Sequence, residues 1–262
     1  MTTKGIDVST IQGVIDWDKV NCDFAVIKAT QGRGEGAATR LLKRFTDSRF
    51  KYNITRCRCS GIGTYHYLTA QTKEEAIEEI DYYCKTIAPY KARISLWAAV
   101  DVESRYLDGL GKTELTAIVR TALERVKKNG FRPMLYTNPN FLKYRFEPGA
   151  FNDCDIWLAH WGVKTPMTVP NLKIWQYGTT TVPGISGKCD GNVGYYSAGA
   201  QTATPSYKPG GKYILAEGDA YTNGVAVPRT YWGRTCTIRQ VKSDAVLLKE
   251  INSWVRVPRG GK

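Results

Sequence analysis

"LWAAVDVESRY", residues 96–106, places two carboxylates, Asp101 and Glu103, behind five residues that are otherwise apolar. The run 96–103 is short, apolar and followed by a polar loop, "SRYLDGLGK", so it reads as a buried strand. On a strand, residues two apart share a face and lie about 6.6 Å apart along the backbone. Asp101 and Glu103 therefore look one way, and Val100 and Val102 look the other. The pair sits where the strand runs out. In a parallel barrel that is the end at which enzymes carry their chemistry. A pair of this kind, taken alone, also fits a salt bridge to Arg105. Its surroundings have to decide.

Working outward, the first 196 residues alternate short apolar runs with helical patterns. Candidate strands are "KGIDVS", "FAVIKAT", "GIGTYHYL", "LWAAVDVE", "PMLYTN", "DIWLAHW" and "LKIWQYG". They are rich in β-branched or aromatic residues and bounded by Gly, Pro, Asn or Asp. Thr72 followed by Glu75 reads as a capping box that opens a helix with Ile77, Ile80, Cys84 and Ile87 on one face. Thr113 is the expected cap of a second helix. Its stripe is Leu115, Ile118, Val119, Ala122, Leu123 and Val126, and Gly130 ends it. Strand and helix in alternation argue for a parallel sheet with helices outside. Seven strands in so short a span predict an α/β fold, an irregular TIM-like barrel with few outer helices.

Residues 1–196 are thus expected to form one domain. The stretch 197–212, "SAGAQTATPSYKPGGK", has linker composition. The remainder, 213–262, changes style. It has an Asn223-Gly224 turn signal and short β-like runs, "TCTIRQV", "AVLLKEI" and "WVRV", with no helix between them. It reads as a small all-β module of the kind that serves as a binding appendage.

The net charge is +13, and six of those charges fall in 205–262. Such a balance favours anionic partners, but no block of like charges resembles a nucleic-acid arm. No run of about 18 apolar residues predicts a membrane span. "MTTKGIDVST" lacks the pattern of a classical signal peptide, so synthesis in a reducing cytoplasm is expected. Seven cysteines, scattered and odd in number, do not form a disulfide framework, and with two histidines no metal site is expected. No cofactor is implied.

Two further carboxylates stand where strands run out: Asp7 in "GIDVS" and Asp190 in "CDGN". Aromatics crowd the same ends, among them Tyr65, Tyr67, Tyr136, Trp157, Trp161, Trp175 and Tyr177. Carboxylates ringed by aromatics suit a sugar, whose apolar face stacks on a ring. Trp157 and Trp175 fit core packing equally well. His66, between two tyrosines, fits either a hydrogen-bonding rim residue or a satisfied core histidine.

"GIDVSTIQGVIDW" (5–17), "FAVIKATQG" (24–32), "GIGTYHYL" (61–68), "AAVDVE" (98–103), "MLYTN" (134–138), "IWLAHWG" (156–162) and "IWQYGTTTVPGISGKCDGN" (174–192) occur in order. Together they resemble the family 25 glycoside hydrolases, the N-acetylmuramidases of phages and bacteria. The resemblance covers about 1–196. "VAVPRTYWGRTCTIRQV…VLLKEINSWV" is similar to the SH3-like modules of cell-wall hydrolases, so the whole resembles a phage endolysin or bacterial autolysin. The resemblance implies hydrolysis of the β-1,4 bond from N-acetylmuramic acid to N-acetylglucosamine. Its site carboxylates fall on Asp7, Asp101, Glu103 and Asp190. Glu103 matches the general acid/base, and Asp101 matches the carboxylate that supports the substrate's acetamido group. Tyr65, His66, Tyr67, Tyr136, Trp161, Gln176 and Gln31 are the expected substrate-binding residues. Gln31 stands where many relatives carry Glu, and Cys189 and Gly191 stand where apolar residues are more usual. Implied partners are peptidoglycan and anionic wall polymers, reached after holin-assisted release or lysis. Competing readings are a wall-binding protein on an inactive barrel, a nucleic-acid binder driven by charge, and a chitinase-like enzyme with the same D-x-E.

Overall fold

A computed structural model describes residues 2–34, 43–196, 207–215, 219–242 and 244–257. In chain order the first elements are β1 (Thr3–Val8), β2 (Phe24–Arg33), β3 (Lys43–Thr46), α1 (Phe50–Arg56), β4 (Gly61–Tyr67), α2 (Lys73–Ile87) and β5 (Ala98–Asp101). There follow α3 (Lys112–Lys128), β6 (Pro133–Thr137), β7 (Ile156–Ala159), β8 (Leu172–Thr180) and β9 (Cys189–Gly194). Eight strands close a barrel in the order β1-β2-β4-β5-β6-β7-β8-β9, because β1 pairs with both β2 and β9. Neighbours from β1 to β8 run parallel. β9 runs antiparallel to both of its partners. It corrects the all-parallel expectation, and its sequence, "CDGNVG", carries no strand signal. β3 adds to the far end of β2, past the point where β1 stops.

Period-two alternation sorts the side chains into two cores. Ile62 on β4, Val100 and Val102 at β5, and Ile156 and Leu158 on β7 face outward, under the helices. Phe24, Val26, Tyr65, Ala99, Met134, Tyr136, Trp157 and Ile174 face inward and fill the barrel with a largely aromatic core. Gly5 makes room for that filling: a Cβ there would lie 2.2 Å from the Phe24 ring.

Among the described residues the barrel carries three α-helices, fewer than a regular β/α barrel has. α2 buries Ala76, Ile80, Tyr83, Cys84 and Ile87, with Ile77 only half-buried. Thr72 caps it by accepting from the Glu75 N–H at 3.1 Å. The Glu75 carboxylate turns instead to the Gln71 N–H and to Arg33, so the box is half made. α3 buries the whole expected stripe, but its N-cap is Gly111. Thr113 lies within the first turn and donates to Glu147. Asn129 is the C-cap, and Gly130, at φ 79°, supplies the left-handed exit.

The rim alternative for His66 does not hold. On β4 the side chain points away from Tyr65 and Tyr67, toward α2, and is fully buried. Its Nε2 lies 2.9 Å from the buried Glu79 carboxylate, and its Nδ1 lies 2.8 Å from Thr30 Oγ1. Glu79 also accepts from the Thr69 N–H and hydroxyl. His66 is a satisfied core histidine behind the barrel wall, not a substrate-binding residue.

The C-terminal part forms a separate antiparallel sheet of β10 (Lys212–Ile214), β11 (Thr235–Val241), β12 (Ala245–Leu248) and β13 (Ser253–Arg256). It has its own core of Tyr213, Leu215, Val227, Cys236, Ile238, Val246, Leu248 and Val255. The Asn223-Gly224 signal is a turn, with Gly224 at φ 86°. β10 begins inside the stretch read as linker, and 197–206 of that stretch lie outside the described residues. Among the described residues no helix is long and apolar enough to cross a membrane.

The Glu79 cluster ties α2 to β2 and β4. Replacing Glu79 with Ala leaves three buried donors without their acceptor. We expect Glu79→Ala to lower stability by about 3 kcal/mol or more, read as a fall in the urea midpoint, and Glu79→Gln to lower it by less.

Candidate active site

The β1–β9 register sets Asp7 opposite Asp190, and the β8–β9 register sets Gln176 opposite Asn192. Four polar side chains from three adjacent strands therefore meet at one level of the barrel. Asn192 Nδ2 donates to Asp7 Oδ2 at 2.8 Å. Gln176 Nε2 donates to the same oxygen at 3.0 Å and to Asp190 Oδ2 at 3.4 Å. What aims the two amides lies behind them. The Trp157 indole N–H donates to Asn192 Oδ1 at 2.8 Å. The Trp161 indole N–H and the Tyr136 hydroxyl both donate to Gln176 Oε1 at 3.0 Å. An indole N–H can only donate, so each tryptophan holds the amide oxygen and turns the amide nitrogen toward the carboxylates.

The opposite wall comes from β5. The strand ends at Asp101, two residues earlier than expected. One more ladder bond, from the Val102 N–H to Tyr136 O at 2.9 Å, keeps the alternation going. Val102 stays in the outer core, Asp101 is buried facing inward, and Glu103 is exposed just beyond. Glu103, Asn138, His160, Trp161, Gln176 and Asp190 line an open cleft of about 470 Å³, with Tyr136 in its wall. Of the four carboxylates, Glu103 and Asp190 reach this cleft, while Asp7 and Asp101 are buried.

Burial dominates the electrostatics. It pushes the Asp7 carboxyl up to about 7, helped by the charges of Asp190 and Glu103 and opposed by the amide bonds from Gln176 and Asn192. Burial also raises Asp190. Tyr65 and Tyr136 are raised well above the usual phenol range, chiefly by burial and further by the neighbouring carboxylates. Both stay neutral, so the Tyr136 hydroxyl keeps its proton to donate.

The expected substrate residues divide into four groups. Trp161, Gln176 and Tyr136 join the cleft, and the Trp161 ring is 50% exposed. Tyr65 is buried against the Trp157 ring. Tyr67 and Gln31 lie further round, at β4 and β2. There Lys28 Nζ sits 4.9 Å from the Tyr67 ring centroid and donates to Gln31 Oε1 at 2.7 Å. His66 is not part of the assembly. Sequence reasoning assigned no site role to Asn192, Asn138 or Lys28 and left Trp157 between sugar stacking and core packing. Asn192 was within reach, since it follows Asp190 by two and so shares its strand face. Among the described residues no group of three His, Cys, Asp or Glu side chains is arranged to hold a metal ion.

Comparison with known proteins fits this geometry. Residues 6–185 match the model of the glycosyl hydrolases family 25. The chain is 29% identical over 208 residues to Lysozyme M1 of Streptomyces globisporus, covering 72% of this chain and 66% of that protein. It therefore spans just under two thirds of that relative's length. It superposes on the bacterial lysozyme of Streptomyces coelicolor with a TM-score of 0.60 at 27% identity, covering 75% of this chain and 94% of that one. The Clostridium perfringens spore cortex lytic enzyme SleM shares the fold over 97% of this chain and 86% of its own, with a TM-score of 0.66 at 18% identity. The chain belongs to the family 25 glycosyl hydrolases and is a glycoside hydrolase.

The Asp7 shift has a stability consequence. Its carboxyl is harder to ionise folded than unfolded, so Asp7's own contribution to stability falls as pH rises from about 4 to about 7 and then levels off. We expect Asp7→Asn to stabilise the fold while impairing activity. The gain should be small near pH 4, grow with pH and reach at most about 4 kcal/mol above pH 7, as measured by urea unfolding across that range.

Proposed function

We propose that this family 25 glycosyl hydrolase is a muramidase that cleaves the β-1,4 bond between N-acetylmuramic acid and N-acetylglucosamine in bacterial peptidoglycan. The observation that carries the reading is the arrangement of its four carboxylates, with Glu103 exposed in an aromatic-walled cleft and Asp101 buried two residues before it. The lysozyme relatives point the same way.

In this reading a sugar ring stacks on Trp161. Glu103, protonated, gives its proton to the glycosidic oxygen as the C1–O bond breaks. Asp101 is buried and outside the cleft lining, and its role in this reading is to meet the acetamido arm of the sugar rather than the ring. It orients that arm, whose carbonyl oxygen attacks C1 and forms an oxazolinium-like intermediate. Glu103, now ionised, takes a proton from water, and the water opens the intermediate with net retention. A direct displacement from the far wall would rest on Asp7 or Asp190. Both are raised, and Asp7 is buried and committed to two amides, which weakens either as an anionic nucleophile.

The C-terminal sheet serves, we infer, as an SH3-like wall-binding module. Net positive charge on both parts of the chain draws the enzyme to anionic wall polymers, and tethering raises the barrel's effective concentration there. The resulting damage to the wall lyses the cell.

Mass spectrometry of digested peptidoglycan tests the assignment. Wild type should release fragments with muramic acid reducing ends, and NMR should show the β-anomer first. Glu103→Gln should fold normally and lose about 10²–10⁴-fold in rate. Glucosamine reducing ends would identify a different glycosidase, an inverted first anomer would remove the acetamido route, and intact walls with bound protein would leave a binding barrel. Wall lysis should also weaken as salt is raised, since exposed charges are then screened.

A further inference from the structure

Trp161 combines two properties that other aromatics of the site do not share. Its ring is half exposed in the cleft, whereas Tyr65, Tyr136 and Trp157 are buried. Its indole N–H nevertheless reaches inward to Gln176 Oε1 at 3.0 Å. Gln176 is the amide that touches both carboxylates of the β1–β9 pair, Asp7 at 3.0 Å and Asp190 at 3.4 Å.

Which end of Gln176 faces that pair depends on its partners. The Tyr136 hydroxyl can donate or accept, so it tolerates either orientation of the amide. The Trp161 indole can only donate and permits one. With the ring in place, the amide nitrogen spans the carboxylates. Without the N–H, the amide can turn over, give its own N–H to Tyr136 and present its oxygen to Asp7 and Asp190.

We propose that Trp161 is a positioning residue for the Asp7–Asp190 pair: its N–H locks Gln176 so that one amide nitrogen bridges both carboxylates, and its exposed face ties that lock to the sugar in the cleft. This rests on the muramidase reading only in naming the sugar. The lock itself belongs to the free enzyme. Loss of the lock removes a donor that favours the ionised pair, so the pair must bind protons more tightly. The titratable groups around the pair are Glu103 and Asp101 at β5, Tyr65 on β4, Tyr136 on β6 and Cys189 on β9. Glu103 and Asp101 offer no donor when ionised, the Tyr136 hydroxyl donates to Gln176 Oε1 already and can turn to accept, and His160 lines the same cleft as Asp190. Lys28 on β2 lies beyond, 6.0 Å from the Tyr65 ring centroid.

Two variants separate ring from N–H. Trp161→Phe keeps a stacking face and lacks the donor, and Trp161→Ala lacks both. The side-chain carboxyl resonances of Asp7 and Asp190, followed by ¹³C NMR against pH in the free protein, should titrate about half a unit to one unit higher in both variants. On peptidoglycan, Trp161→Phe should shift one limb of the pH–rate profile upward by the same amount with KM within about twofold, while Trp161→Ala should also raise KM severalfold. Wild-type titration of both aspartates in a folded Trp161→Phe protein would overturn the proposal. A shifted titration in a protein that lyses no wall would uphold the lock and overturn the muramidase reading instead.

Discussion

In the β1–β9 ladder Asp7 and Asp190 are directly opposed, and two like charges in register across an antiparallel pair ordinarily weaken it. Here they stand where the barrel closes. The strand that closes it must therefore bring its own remedy, and it does: Asn192, two residues on from Asp190, shares its face and donates to Asp7. Gln176, on the strand that flanks β9 on the other side, donates to both. The amides stabilise the charge without cancelling it, so Asp7 can still exchange a proton near neutrality. A lysine at either position would form an ion pair and hold both carboxylates ionised across the working pH range.

The remedy works because the barrel interior is aromatic. Trp157 and Tyr136 pack edge to face at 4.4 Å between centroids, and Tyr65 packs on Trp157 at 5.9 Å. Rings held in this way give the amides fixed donors, and they also exclude the water that would otherwise solvate Asp7. Desolvation raises the carboxyl while the ring N–H groups, acting through the amides, lower it. The outcome near neutrality is a balance between two effects of the same side chains.

Much of this is legible in the sequence. The strands from β1 to β8, other than short β3, announce themselves as β-branched and aromatic runs, and period-two alternation alone sets Asp101 and Glu103 on one face. The rest is hidden for identifiable reasons. β9, "CDGNVG", has two glycines, an Asp and an Asn, so its propensity argues against a strand. It is extended because two neighbouring strands offer it ladder bonds, which is a tertiary fact. The ambiguity of His66 is resolved by Glu79, thirteen residues away on a helix, and only the fold brings the two together. Thr113 looks like a cap because its hydroxyl could serve, but Gly111 occupies the position and Thr113 bonds to Glu147, distant in sequence.

Glu103 and Asp101 show how a strand end divides labour between residues of one chemistry. Inside the ladder, backbone bonds fix the side chain's direction, and Asp101 is held inward, buried and out of the cleft. One step past the ladder that constraint lapses, and Glu103 stands in solvent with the cleft before it. In the proposed mechanism the carboxyl that exchanges a proton with the substrate and then with water is the exposed one. A carboxyl that only steadies a neighbouring charge acts best where water is excluded, because its field is then less screened. The same division recurs on the other wall, where Asp190 reaches the cleft and Asp7 does not. Each wall thus contributes one carboxylate to the cleft and one beneath it. β5 achieves this by ending between its two acids, and the β1–β9 ladder achieves it by setting one acid on each strand.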